Sequence, residues 1–447
     1  MSTAEELINN LSDKNNKIKY SRNFFKHKIY PFFTREPERA KFKNGFHGVL
    51  GSLARLSLDL DPKYDTSDSP ISNEKLDLDF LPESLEEEII NGLTSSHTVK
   101  SMNHPFFINY IPSSNEKDSK GEIEIANLLL KLFNLDTNEY WKKSVGNKKY
   151  TNLLEKIILD SLKELNQNEA KNEYLIFNKS NYKYMVNDLE YLTSKKDFFM
   201  KNIHNFFAFY YFQYIMQTTI YLNSFENQNS DFINLYFTLE SEKITSTRQT
   251  VKEGFNLVTS LRRDLLVNDN LIGYINFLIE SEDTYSIQQI LEFEVNQKDI
   301  LNQKLISFLK QYAGITDNKE FDYLKVYQNS LLENIKYLRT LLLKDLQYET
   351  QSRFFKSIDE IGNLYFLKSR GRLGKVLSLN TETIILLSAL IVRDNKMILS
   401  DVFKGFEERG VWLDRYTKEE IVELYERMNI LDKKSDSGEA KYVKPIL

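Results

Sequence analysis

Cysteine is absent from all 447 residues. Its absence removes disulfides and thiolate metal sites, and it fits a cytosolic chain. Histidine is scarce as well. His27, His47, His97, His104 and His204 form neither an HxxxH nor an HExxH pair, so incidental histidines are expected rather than a metal centre. A secretory signal is missing, because Met1 to Asn10 carries acidic residues and no long apolar run. There is no serine-centred nucleophile elbow, no internal repeat and no low-complexity tract. Acidic residues are so abundant that a chance match to an acid-x-lysine nuclease pattern carries no weight.

Charge is missing from one long stretch. Between Asn202 and Phe225 no residue is charged, while Phe206, Phe207, Phe209, Tyr210, Tyr211, Phe212 and Tyr214 crowd the run. A spanning helix needs roughly 20 predominantly apolar residues. This stretch interleaves His204, Asn205, Gln213, Gln217, Thr218 and Thr219. A helix buried on most sides within a helical domain is expected, with a lipid contact as the rival reading.

A phosphate-binding loop is missing too. Lys368-Ser369-Arg370-Gly371-Arg372-Leu373-Gly374-Lys375 ends in Gly-Lys. The pattern needs glycine where Ser369 stands and a magnesium-holding hydroxyl where Val376 stands. The segment reads instead as a flexible basic connector. No cofactor and no catalytic activity of the chain's own are expected.

What is present divides into four compositional regions. Hydrophobic residues at 41% suffice for real cores, and the net charge of -5 conceals strong segregation. A basic, aromatic arm runs from about Lys14 to Asn44. An acidic stretch from about Leu56 to Ile90, broken by Pro62, Pro70 and Pro82, suggests irregular surface chain. From about Lys120 to Lys375 apolar residues recur at helical spacing, as in Leu153, Leu154, Ile157, Ile158, Leu162 and Leu165, and in Leu331, Ile335, Leu338, Leu341 and Leu342. The later helices suggest a long bundle or hairpin. Phe232 to Leu239 alternates and predicts a strand or an extended connector. The expected division is an N-terminal region over 1–115, a helical domain over 116–375 and a C-terminal module over 376–447.

The last region is the most readable. The pattern predicts a helix over Thr381 to Val392, a short strand over Lys396 to Leu399 and a helix from Asp401 to Arg409 ended by Gly410. Thr417 and Glu420 suggest a capping box before a third helix with Ile421, Leu424, Tyr425 and Met428 on one face. Two short strands, Ile430 to Lys434 and Lys441 to Pro445, bracket a turn at Ser435-Asp436-Ser437-Gly438. Helix, strand, helix, helix, hairpin is the order of a winged helix. The expected fold class is therefore mainly α, a multi-helix domain with a winged-helix-like α+β module.

Candidate DNA contacts are cations. Lys368, Arg370, Arg372 and Lys375 lie in the connector, Lys433, Lys434 and Lys441 in the proposed wing, and Arg22, Lys26 and Lys28 in the arm. Such residues bind phosphate by counterion release, and neighbouring aromatics stack on exposed bases. Opposing readings stand beside each set. The connector is simply solvated, or the arm's aromatics are core and its lysines pair with the acidic stretch. The third helix carries Lys418 and Arg427 but also Glu419, Glu423 and Glu426. Base-reading helices present Arg, Asn, Gln or Lys, so this face suits protein docking better.

The run FEERGVWLDRYTKEEIVELYERMNILDKKSDSGEAKYVKPIL, Phe406 to Leu447, resembles the ending of the DptG family, the G subunit of DNA phosphorothioation-dependent restriction systems. ESEKITSTRQTVKEGF, Glu240 to Phe255, and the aromatic helix before it resemble that family too. The most distinctive piece is Lys433 to Leu447. The resemblance implies a cytoplasmic bacterial antiviral defence role in restricting DNA that lacks a sulfur mark. It implies ATPase- or helicase-like and nuclease-like partner subunits; backbone contact with DNA is expected from the cations, and no membrane contact from the interleaved polar residues of the uncharged stretch. It transfers no catalytic residue. A winged-helix transcription regulator, a cryptic carboxylate hydrolase and a structural subunit without DNA contact remain as alternatives.

Overall fold

Residues 202–223 of the uncharged stretch lie in the helix Lys196–Asn223, about 42 Å long at 1.5 Å per residue. Between Phe199 and Leu222 nearly every side chain is buried, which explains why no polar face is written into it. Phe133 and Trp141 pack edge-on against Phe207 at 4.9 and 5.4 Å, and Phe366 stacks on Phe212 at 4.9 Å. The helix is a core element covered by protein. Among the described residues no helix is long and apolar enough to cross a membrane.

The computed structural model describes residues 2–12, 18, 25–35, 38–64, 71, 82, 103–114, 116–168, 174–177, 183–223, 233–316, 321–433 and 441–447. The fold is mainly α. An N-terminal layer, made of the helices His47–Ser57 and Glu116–Phe133 with the 3-10 helix Pro105–Tyr110, covers part of the central helix. Helices Leu265–Ile279, Val295–Ile315, Leu331–Asp345 and Tyr348–Tyr365 pack elsewhere in the same core, joined by Thr3–Leu11. Leu331, Ile335, Leu338, Leu341 and Leu342 are all buried, as their spacing predicts. Leu153 and Leu154 are not: they are 67% and 54% exposed at the start of helix Leu153–Ser161. Periodicity marks an apolar stripe but not whether anything covers all of it.

The alternating segment is a strand, β1 (Tyr236–Leu239), at the interior of a mixed sheet of order β2-β3-β1-β5. Its neighbours are β3 (Lys375–Leu379) and β5 (Trp412–Leu413), both parallel to it. The boundary expected between residues 375 and 376 thus falls inside β3, and the C-terminal segment shares a sheet with residues 236–239.

The expected flexible connector is an ordered hairpin. Strand β2 (Leu367–Ser369) pairs antiparallel with β3, with Lys368 opposite Val376 and Ser369 opposite Lys375. Gly371 and Gly374, at φ 58° and 74°, supply the backbone angles that turn the chain between them.

Beyond it lie helix Thr381–Val392, β4 (Met397–Ile398), helix Leu399–Glu407, helix Arg415–Arg427, β6 (Leu431–Lys433) and β7 (Lys441–Val443). Strands β4, β6 and β7 form an antiparallel sheet of order β4-β7-β6. The turn expected at 435–438 lies outside the described residues. The expected capping box is corrected. Asp414 caps the third helix, its Oδ1 accepting from the Thr417 amide at 3.0 Å, so the helix begins earlier and Thr417 is released for another role.

Over the arm's described part, the reading that its aromatics are core holds. Ile29, Tyr30 and Phe32 are core residues, and Tyr30 and Phe32 both meet Phe354 edge-on. Most of the acidic stretch lies outside the described residues.

Candidate docking and nucleic-acid interface

The C-terminal unit is fastened to the rest of the molecule by two buried ion pairs. Arg409, on the turn that ends helix Leu399–Glu407, forks onto Asp188 of helix Lys183–Thr193 at 2.6 and 2.7 Å. The Tyr210 hydroxyl donates to the same carboxylate at 2.7 Å. Burial works to lower the Arg409 pKa, but the Asp188 hydrogen bonds and charge hold it above the ordinary guanidinium value.

The second pair centres on Arg248. It grips both oxygens of Asp414 at 2.6 Å and also donates to Glu242 and, at 3.0 Å, to Thr417 Oγ1. Thr417 in turn donates to Glu242 at 3.0 Å. Desolvation raises the Asp414 pKa, yet the Arg248 bond outweighs it and the group stays below the usual carboxylate range. The same aspartate caps helix Arg415–Arg427, so the ion pair sets both the position and the start of that helix. Segments Glu240 to Phe255 and Phe406 to Leu447 meet at this contact, and β1, just before the first, pairs with β5 in the second.

An open groove of about 690 Å³ lies in front of this seam. Tyr236, Phe403, Trp412 and Val422 give it apolar walls, and Lys441 of β7 stands at its edge. Its charges are mostly matched within the chain, Lys418 with Glu407 at 3.2 Å and Arg415 with Glu419 at 2.9 Å. Glu419, Glu423 and Glu426 are exposed on the same helix. Its outward face is therefore net acidic.

Among the described residues, the cations expected to touch DNA fall in three places: Lys368, Arg370, Arg372 and Lys375 in one hairpin, Lys441 on β7, and Lys26 and Lys28 in the arm. Lys368 is paired with Glu240. Arg370 donates to the carbonyls of Leu239 and Glu240 at 3.3 and 2.8 Å, and Lys375 pairs with Asp359 at 3.2 Å. Arg372 is exposed at the hairpin tip. Lys26 holds the Ser281 carbonyl at 2.7 Å and Glu282 at 3.1 Å, and Lys28 holds Glu124 at 2.9 Å. Lys26 and Lys28 thus pair within the chain; most of the acidic stretch, the partner the sequence offered for the arm, lies outside the described residues. Lys441 borders the groove. Arg22, Lys434 and the side chain of Lys433 lie outside the described residues.

Sequence reasoning missed Arg248, Asp188 and Arg409. Asp188 left one trace, a charged residue on the buried face of its helix beside Met185, Leu189 and Leu192. Arg248 left none. Among the described residues no three His, Asp or Glu side chains are grouped to hold a metal ion. Compared with known proteins, the chain matches no family model and no curated protein.

Proposed function

We propose that this chain is a non-catalytic docking subunit of a phosphorothioation-dependent restriction complex. Its C-terminal unit, read as a winged helix from its element order and β4-β7-β6 sheet, is turned to protein contact. The observation that carries this reading is the outward face of helix Arg415–Arg427. It places Glu423, and Glu419 in its pair with Arg415, in the lining of an open, aromatic-walled groove, with Glu426 exposed on the same helix. Phosphate is repelled by such a face, whereas a partner segment with an apolar anchor and flanking Arg or Lys complements it. The resemblance supplies the partners: the ATPase- or helicase-like and nuclease-like subunits of the same system, in a bacterial cytoplasm. Direct duplex contact is secondary and falls to Arg372 and Lys441.

The test is co-purification with the products of neighbouring genes, using the full chain and a Glu419→Lys, Glu423→Lys variant. Both positions are exposed, so the fold is retained while partner affinity falls at least about tenfold. The isolated chain is expected not to shift duplex DNA at moderate salt. Sequence-specific binding by the isolated chain would establish the transcription-regulator reading instead. Capture of partners untouched by the charge reversal would place docking elsewhere.

A further inference from the structure

The hairpin of β2 and β3 is anchored on helix Tyr348–Tyr365, and the anchor leaves unpaired cations beside it. Asp359 of that helix is shared. Lys375 Nζ lies 3.2 Å from one carboxylate oxygen, and Arg262 of the 3-10 helix Arg262–Asp264 donates to the other at 2.7 Å. The Arg262 guanidinium also lies over the Phe355 ring at 4.8 Å. Glu360, the next residue, accepts from the buried Arg39 at 2.9 Å. Lys356 stands three and four residues before these two carboxylates, the spacing at which helical ion pairs form. Both are taken, so the exposed Lys356 is left without a carboxylate among the described residues.

The same holds for its neighbours. Arg353, one turn earlier, is exposed with no carboxylate partner among the described residues. Arg263 is exposed on the flank of the helix, over the Tyr348 ring at 5.6 Å. Arg372 is exposed at the hairpin tip. Against these, the two helices carry four carboxylates. Asp359 and Glu360 are bound as described, and Asp264 is held by Arg339. Glu349 is the one left unpaired among the described residues. Free charge on this face is therefore positive, the reverse of the outward face of helix Arg415–Arg427.

We propose that this face holds the phosphate backbone of duplex DNA without reading its sequence, through Arg263, Arg353, Lys356 and Arg372. Three of the four are arginines, whose forked donors match phosphate oxygens. Large apolar side chains of these helices are exposed at Tyr348 and Leu364, near opposite ends of helix Tyr348–Tyr365, so the central apolar anchor that protein docking uses is missing. One exposed ring does not make the row of stacking platforms that single strands use. Phosphate contacts position a duplex but carry no sequence information. The inference extends the duplex contact given to Arg372 and does not depend on docking at the acidic helix.

The experiment is fluorescence anisotropy of the full chain with a short labelled duplex of random sequence, from low to moderate salt. Binding is expected at low salt and should fade as salt rises, with a slope of log K against log salt of about -3.6, four contacts at about -0.9 each. Arg353→Gln combined with Lys356→Gln should make that slope shallower by roughly 1.8 and weaken low-salt binding at least about tenfold. Both positions are exposed, so the melting temperature and the capture of protein partners should not change. Lys148→Gln with Lys149→Gln, exposed lysines of another segment, should leave the slope as it is. Absence of binding at low salt would overturn the proposal, as would a slope unaltered by the first variant. Equal loss from the second variant, or tighter binding of oligo-dT of the same length, would overturn it too.

Discussion

Arg55, in the N-terminal layer, and Arg409, in the C-terminal unit, are both buried, but the protein compensates them differently. Arg409 meets a carboxylate, and charge lies on charge. Arg55 is hydrogen-bonded to the carbonyls of Pro62, Asn109 and Ile111 at 2.7 to 3.1 Å and to no carboxylate among the described residues. Burial pulls its pKa down to about 10, only partly countered by the more distant Asp61 and Glu122. Arg55 therefore acts as a clamp on irregular backbone, satisfying carbonyls that have no ladder partner. Arg409, like Arg248, acts as a fastener between elements that are distant along the chain. The buried arginine of one region is satisfied by dipoles and that of the other by an ion pair.

The largest expected effect breaks the second kind. Asp188→Ala leaves the Arg409 guanidinium buried without its countercharge, and a loss of about 3–5 kcal/mol is expected in chemical denaturation. Asp188→Leu combined with Arg409→Met should recover most of that loss, since removing both charges removes the desolvation cost as well. Arg55→Met should cost less, about 2–3 kcal/mol, because it strands neutral carbonyls and no charge. A loss from Arg55→Met equal to that from Asp188→Ala would erase the distinction between clamp and fastener.

That distinction also explains what could be read from the sequence. Most described elements between Thr381 and Val443 were legible because their signals are local, apolar periodicity and a helix-ending glycine among them; β5 and the earlier start of the third helix were not. The central helix was legible from its lack of charge. The fasteners were not, because Arg248 and Asp414 are 166 residues apart and Asp188 and Arg409 are 221 apart. No periodicity links such positions. The same limit applies to β1, whose alternation is visible in Leu235, Phe237 and Leu239 but whose parallel partners arrive more than a hundred residues later. It applies also to the candidate cations. Composition counted Lys368 and Lys375 as available, and only the fold reveals that Glu240 and Asp359 already occupy them.

A smaller effect sharpens the comparison through pH. His204 of the central helix lies against His47 of the N-terminal layer, ring centroids 4.7 Å apart. Burial, with a lesser push from His47, lowers its pKa to about 4. The unfolded chain then binds the extra proton between about pH 6.5 and pH 4, so folding stability falls as pH drops through that window. Glu122 works in the opposite direction, because burial raises its pKa. The difference between unmodified protein and His204→Gln isolates the histidine and should reach about 1–2 kcal/mol at pH 4, after allowing for residual solvent screening. At the seam Asp414, held below its usual range, retains its stabilising effect to lower pH and loses it only as pH falls through that depressed value. Acid should therefore weaken the N-terminal layer first, which hydrogen exchange resolved by region would detect. Earlier opening around Asp414 would reverse the order.

The smallest effect concerns the hairpin cations, and here the fold sets the expectation. Each phosphate neutralised on duplex DNA contributes about -0.9 to the slope of log K against log salt. Four free cations at 368, 370, 372 and 375 would together change that slope by roughly 3–4 on removal. Lys368, Arg370 and Lys375 are instead held by Glu240, by the Leu239 and Glu240 carbonyls and by Asp359. To reach phosphate each must first leave an intramolecular partner, which offsets the gain from counterion release. Replacing all four in the assembled complex should therefore change the slope by about one unit at most, the share of Arg372. Replacing Arg372 alone should give nearly the same result. A change of three or more would mean that the hairpin pairs dissolve on binding, and that these charges are exchanged between the chain's own carboxylates and DNA.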